Sequence, residues 1–141
     1  VESMARRTDF LAEVVAGLGL SARVSVVRAR AEECVGRIPL ADVVTARALA
    51  PLDRLAAWCL PLAVIGGRVF AIKGESAAEE VAVHSAAVRR AGGSAPVVRR
   101  CGVEVVDPPT TVVEIVRERA ARSAVGRQGG RATSRGRGRS R

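Results

Sequence analysis

At 141 residues, 48% hydrophobic but only 2% aromatic, the chain can close one aliphatic core; two full domains would be crowded and a surface of stacked aromatics is excluded. The formal charge of +9 does not describe the domain, because residues 1–116 hold 14 basic and 13 acidic side chains while residues 117–141 hold nine Arg and one Glu. The basicity therefore belongs to a tail, and net charge alone does not make the domain a nucleic-acid binder.

Cys34, Cys59 and Cys101 lie 25 and 42 residues apart, which suits neither a disulfide framework nor a C-x-x-C pair; reduced thiols in a core are expected. The longest apolar run, Leu55 to Gly67, has 13 residues and contains Pro61, short of the ~20 that a membrane span needs. The opening V-E-S-M-A-R-R lacks an apolar signal core, so a cytoplasmic protein is expected.

In chain order, Phe10, Leu11, Val14, Val15 and Leu18 recur on one helical face, with Ser3 as N-cap candidate and Gly19 beyond the end. Arg23 to Arg28 reads as a strand by its β-branched content, followed by the polar A-R-A-E-E-C. Asp42 to Ala46 has the character of a buried parallel strand. Pro51 to Leu62 predicts a helix with Leu52, Leu55, Ala56, Cys59 and Leu60 facing inward. Arg68 to Lys73 is a strand after a Gly66-Gly67 turn, and Ser76 to Ala91 is a helix closed by Gly92-Gly93. This alternation predicts a parallel sheet covered on both faces. Val97 to Val106 and Thr111 to Val116, joined by D-P-P-T, then predict a closing antiparallel hairpin. After Arg117 the Arg, Gly and Ser content loses periodicity, and disorder is expected from about Gly126.

The ordered motifs V-E-S-M-A-R-R-T-D-F-L, R-A-E-E, V-V-T-A-R-A-L-A-P-L and G-G-R-V-F-A-I-K-G resemble the glucose-inhibited division protein B family over residues 1 to 116. The resemblance implies an S-adenosylmethionine-dependent methyltransferase acting on guanine N7 of 16S ribosomal RNA. The fold it implies is an α/β, Rossmann-like class I methyltransferase sheet. The family's first strand and its G-x-G-x-G-x-P-G type of loop have no counterpart in this sequence. An N-terminally truncated domain over 1–116, marginal or inactive by itself, is therefore expected, with 117–141 as a largely disordered Arg/Gly/Ser-rich tail.

The resemblance also implies roles for particular residues. Glu2 stands where a nucleotide-binding strand would end and a carboxylate accepts from both ribose hydroxyls; the alternative is a surface Glu near a helix N-terminus. Ala31 and Glu32 would meet the adenine, through a backbone amide and a carboxylate respectively; otherwise R-A-E-E merely caps a short helix. Arg47, directly after a buried strand, would hold the cofactor or orient the target base. Lys73, the sole Lys, ends a strand on the same rim and is the second catalytic candidate, contacting RNA phosphate or the base, against the alternative of a solvated strand-end Lys. His84 has no second ligand near it in sequence, so no metal is expected. The partner implied is 16S ribosomal RNA or the small ribosomal subunit, bound by a monomer. Two other classes remain open: a non-catalytic RNA-binding module that uses the basic tail, and a dinucleotide oxidoreductase, which the missing G-x-G-x-x-G disfavours.

Overall fold

A strand needs a neighbour to satisfy its backbone, whereas a helix bonds its own. In the computed structural model, which describes residues 1–47 and 50–121, four strands form one sheet. They are β1 (Ala41–Arg47), β2 (Ala63–Lys73), β3 (Val97–Cys101) and β4 (Thr110–Val116), in the order β1-β2-β4-β3. β1 and β2 run parallel, and β4 is antiparallel to both β2 and β3. The hairpin expected at the end of the domain is the β3–β4 pair. Its first strand stops at Cys101 rather than Val106, because Gly102 adopts φ 74° and opens a turn there.

Of the helices α1 (Ala5–Gly17), α2 (Leu52–Cys59) and α3 (Ala77–Arg90), the second shows the predicted inward stripe intact. Leu52, Leu55, Ala56 and Cys59 are buried, as is Leu60 in the 3-10 turn Leu60–Leu62 that follows. They pack with Val88 of α3 against Val69 and Ala71 of β2 and Val113 and Ile115 of β4. Side chains alternate along a strand, so Arg68, Phe70, Ile72, Val112 and Glu114 turn to the opposite face.

The expectation of a sheet covered on both faces is thereby corrected: α2 and α3 pack on the same face. Handedness explains this. β1 to β2 and β2 to β3 are both crossovers between parallel strands that move in one direction across the sheet, and right-handed connections then put both helices on one side. On the opposite face the largely buried Glu114 carboxylate is held between Arg68 Nη1, at 3.3 Å, and Arg99 Nε.

Two glycine pairs behave differently from one another. Gly92-Gly93 ends α3 as predicted: Gly92, at φ 97°, donates to Arg89 O at 3.1 Å and Gly93 donates to Val88 O at 3.1 Å, a Schellman motif. Gly66-Gly67 does not precede a strand but lies inside β2, where the register against β1 shifts between Ala41 and Val43.

The first forty residues depart furthest from expectation. α1 closes on its own Schellman motif, with Leu20 N–H on Val15 O at 2.9 Å and Gly19 N–H on Ala16 O at 3.0 Å. Yet Phe10 and Leu18 are 63% and 67% exposed, Leu11 and Val14 are also exposed, and of its apolar stripe only Val15 is half-buried. Met4, not Ser3, is the N-cap. Arg23 to Arg28 forms no strand; only Arg28 bridges Glu2, in parallel, because no neighbouring strand pairs with the segment. Cys34 and Cys59 are core thiols as expected, whereas Cys101 is exposed on β3. No helix among the described residues is long and apolar enough to cross a membrane. The tail expected to be disordered from about Gly126 lies outside the described residues.

Candidate functional site

Parallel strands deliver their carboxyl ends to one rim, and at the end of β1 the polypeptide leaves a cleft of about 520 Å³. One wall is the edge of β1 that is unpaired among the described residues, the other is made by Glu2 and the turn at Ala29–Glu32, and Trp58 and Leu62 close the floor. Glu2, Ala31, Glu32 and Arg47, four residues singled out from sequence, all line this space.

Glu2 is fixed by its neighbours through backbone and side chain. Its N–H donates to Val27 O at 3.0 Å and its carbonyl accepts from Ala29 N–H at 3.1 Å. Oε1 accepts the Met4 N–H at 2.9 Å and Oε2 lies 3.8 Å from Arg7 Nη1. The Met4 amide, aided by Arg7, holds the carboxyl below its ordinary value of 4.5, so Glu2 is an ionised acceptor at neutral pH. Thr8 steadies the same turn, its hydroxyl donating to Met4 O at 3.0 Å.

The two adjacent carboxylates of R-A-E-E have separate tasks. Ala31–Cys34 is a 3-10 turn in which Glu33 N–H donates to Arg30 O and Arg30 N–H donates back to Glu33 Oε2, both at 3.1 Å. Glu33 is thus the cap, and Glu32 is left to face the cleft. The Ala31 amide begins the turn and has no carbonyl acceptor within it.

Arg47 ends β1 opposite Ile72 of β2 and is exposed in the cleft, without an ion pair among the described residues. Lys73, one residue further along β2, is not brought to this cleft. Its side chain is 4% exposed, and the ammonium donates to Glu80 Oε2 at 2.7 Å and to Ala50 O at 2.6 Å. The sequence signal on Lys73 was its place as the sole Lys at the end of a strand; Glu80, which neutralises it, sits in a different element and is visible only in three dimensions.

Trp58 was missed because it lies off the inward stripe of α2. Its partial burial beside the cleft gives that wall a flat apolar surface. Cys59 also borders the cleft, but burial pushes its thiol up to about 11, so it is no nucleophile at neutral pH. His84 Nδ1 stands 3.6 Å from Asp53 Oδ1, between α3 and α2. Among the described residues no group of three His, Cys, Asp or Glu is placed to hold a metal ion.

The family model described as rRNA small subunit methyltransferase G matches residues 1–105, which take in every wall of this cleft. The chain belongs to that family. Curated relatives agree: a Ribosomal RNA small subunit methyltransferase G of Salinispora tropica is 63% identical over 88% of this chain and 53% of its own length. Its Salinispora arenicola counterpart is 59% identical over 92% of this chain and 59% of its own. One from Mycolicibacterium smegmatis is 44% identical over 97% and 58%. The chain therefore spans little more than half the length of the methyltransferase G proteins it matches. Its mixed α/β sheet, with the cleft at a strand's carboxyl end, is of the Rossmann-like methyltransferase class.

Proposed function

We propose that the protein of which these residues form the cleft transfers the methyl group of S-adenosylmethionine to guanine N7 of 16S ribosomal RNA. The observation that carries this reading is the convergence of Glu2, Ala31, Glu32 and Arg47 on one space at the end of β1. The donor set suits the cofactor. Glu2, ionised and locked by Met4, accepts from two ribose hydroxyls. The Ala31 amide donates to a ring nitrogen, and Glu32 accepts from an exocyclic amine. Trp58 offers an apolar face beside them.

When bound, S-adenosylmethionine supplies an electrophilic sulfonium methyl. Guanine N7 already carries a lone pair, so nothing on the chain has to remove a proton. The residues work by binding and orienting, with Arg47 as the cation at the rim that steadies the target base. The small ribosomal subunit is the partner on this reading, and the protein acts as a cytoplasmic monomer. Methyl transfer is assigned to the whole protein, because the edge of β1 facing the cleft is unpaired among the described residues.

The test is calorimetric titration of S-adenosylmethionine into the chain and into a chimera that joins it to the unmatched part of the Salinispora tropica relative. The chimera is expected to bind, and Glu2→Gln and Arg47→Ala to weaken binding by about tenfold each, the worth of one charged hydrogen bond. Absence of binding in both proteins sinks the cofactor assignment and favours a non-catalytic RNA-binding role.

A further inference from the structure

Lys73 stands on the rim of the sheet, yet its charge is spent inside the protein. The ammonium has three donors; one meets Glu80 of α3 and another meets the carbonyl of Ala50. With 4% of its side chain exposed, it is closed to a phosphate unless this arrangement opens.

The Ala50 carbonyl is a group that needs such a donor. Ala50 precedes Pro51, the N-cap of α2, so its oxygen lies ahead of the helical ladder, whose first bond runs from Leu55 N–H to Pro51 O at 3.0 Å. Arg47, three positions before Ala50, is paired in the sheet to Ile72, the neighbour of Lys73. Arg47 and Ala50 thus meet the same point of β2, the first through its ladder pairing with Ile72 and the second through the Lys73 side chain.

We infer that Lys73 is a positioning residue for the cleft: its ammonium, neutralised by Glu80, holds the Ala50 carbonyl and so fixes how Arg47 and the start of α2 stand at the cleft rim. A compact ammonium suits the task, since it satisfies a carboxylate and a carbonyl from one small volume, which a planar guanidinium does not. The functional weight of this inference rests on the proposed role of Arg47. The geometric part does not.

The experiment is peptide-resolved hydrogen exchange on the full 141-residue chain, comparing Lys73→Met and Glu80→Gln with the parent, alongside urea denaturation. Each variant is expected to raise exchange over residues 46–55 by about tenfold, Glu80→Gln less than Lys73→Met, while residues 83–91 of α3 keep their protection and the urea midpoint falls by no more than the same local loss. Unchanged exchange over 46–55 overturns the inference, as does a rise of the same size throughout residues 83–91, which marks a purely structural ion pair. Binding to purified small ribosomal subunits gives the opposite sign for direct phosphate contact. There Glu80→Gln would free the ammonium and strengthen binding, and Lys73→Met would reduce the salt slope by about one. That pair of results also overturns the inference. If local exchange rises as expected but Arg47→Ala leaves S-adenosylmethionine binding by the chimera untouched, positioning by Lys73 stands and the cofactor role of Arg47 falls.

Discussion

The two apolar helical stripes of this chain, on α1 and on α2, look alike in sequence and have opposite fates. On α2, Leu52, Leu55 and Ala56 have no exposed surface, whereas on α1 Phe10 is 63% exposed and Leu18 67%. The difference is not one of periodicity or capping, since α1 is the longer helix and closes on a full Schellman motif. It lies in what surrounds them: α2 is clamped between β1, β2 and α3, and no strand of the sheet is among the principal neighbours of α1 within the described residues. Helical order can be encoded locally, but burial requires a partner.

The largest effect that sharpens this contrast belongs to Leu55. Its side chain is fully buried in the cluster shared by α2, α3, β2 and β4, and Leu55→Ala removes apolar contacts while leaving a cavity. A loss of about 2–5 kcal/mol is expected in urea denaturation, a large share of the ~5–15 kcal/mol that holds a typical domain. A loss below ~1 kcal/mol would mean that this core is no tighter than the α1 face.

Next comes Gly93, where the Schellman turn meets the same core. A Cβ built there would lie 2.6 Å from Ile115 Cγ2 and 2.9 Å from Val88 Cγ1. Gly93→Ala is expected to cost about 1–3 kcal/mol through overpacking, read from the same denaturation midpoint. Gly19, closing α1 by the same motif, has nothing within 4 Å of its ideal Cβ. Any cost of Gly19→Ala would come from its φ of 67° alone, not from packing.

The contrast also marks how far sequence reasoning reaches here. The inward stripe of α2, the glycine stop of α3 and the closing hairpin are legible because local pattern and tertiary environment agree. Arg23 to Arg28 has the composition of a strand, but a strand is completed by a neighbour, and the segment finds only the single bridge from Arg28 to Glu2. For the cleft, the resemblance carried by the ordered motifs is what singled out Glu2, Ala31, Glu32 and Arg47, and all four line one space. The assignment of Glu33 as the cap was available in principle from its place three residues after Arg30. The burial of Lys73 was not: it depends on Glu80 and on the Ala50 carbonyl, contributed by two other segments.

A smaller effect belongs to the exposed stripe itself. Phe10→Ala removes a large ring that is mostly in solvent already, so the denaturation midpoint of the 141-residue chain is expected to move by no more than ~0.5 kcal/mol. A loss comparable to that of Leu55→Ala would show that α1 is buried in solution and would erase the distinction between the two helices.

The smallest effect concerns the bonds that hold the first residues in place of a core. Glu2 is fastened by the Met4 amide, with help from Arg7 and the Ser3 amide, and these depress its carboxyl below the ordinary 4.5. A depressed folded-state value means that any stability it contributes is complete above the unfolded value and is lost only as pH falls through the lower, folded one. The group is solvated, so the contribution to global stability is expected to be unmeasurable. The consequence is local. A carbon-detected titration of the Glu2 carboxyl should give a midpoint below 4.5, and Arg7→Ala should move it upward by only part of the shift, because the Met4 amide is the larger cause. A midpoint at or above 4.5 would mean that the turn is not formed in solution, and with it the acceptor that the cleft presents. The core around Leu55 should be indifferent to that titration, since no carboxylate belongs to its buried cluster.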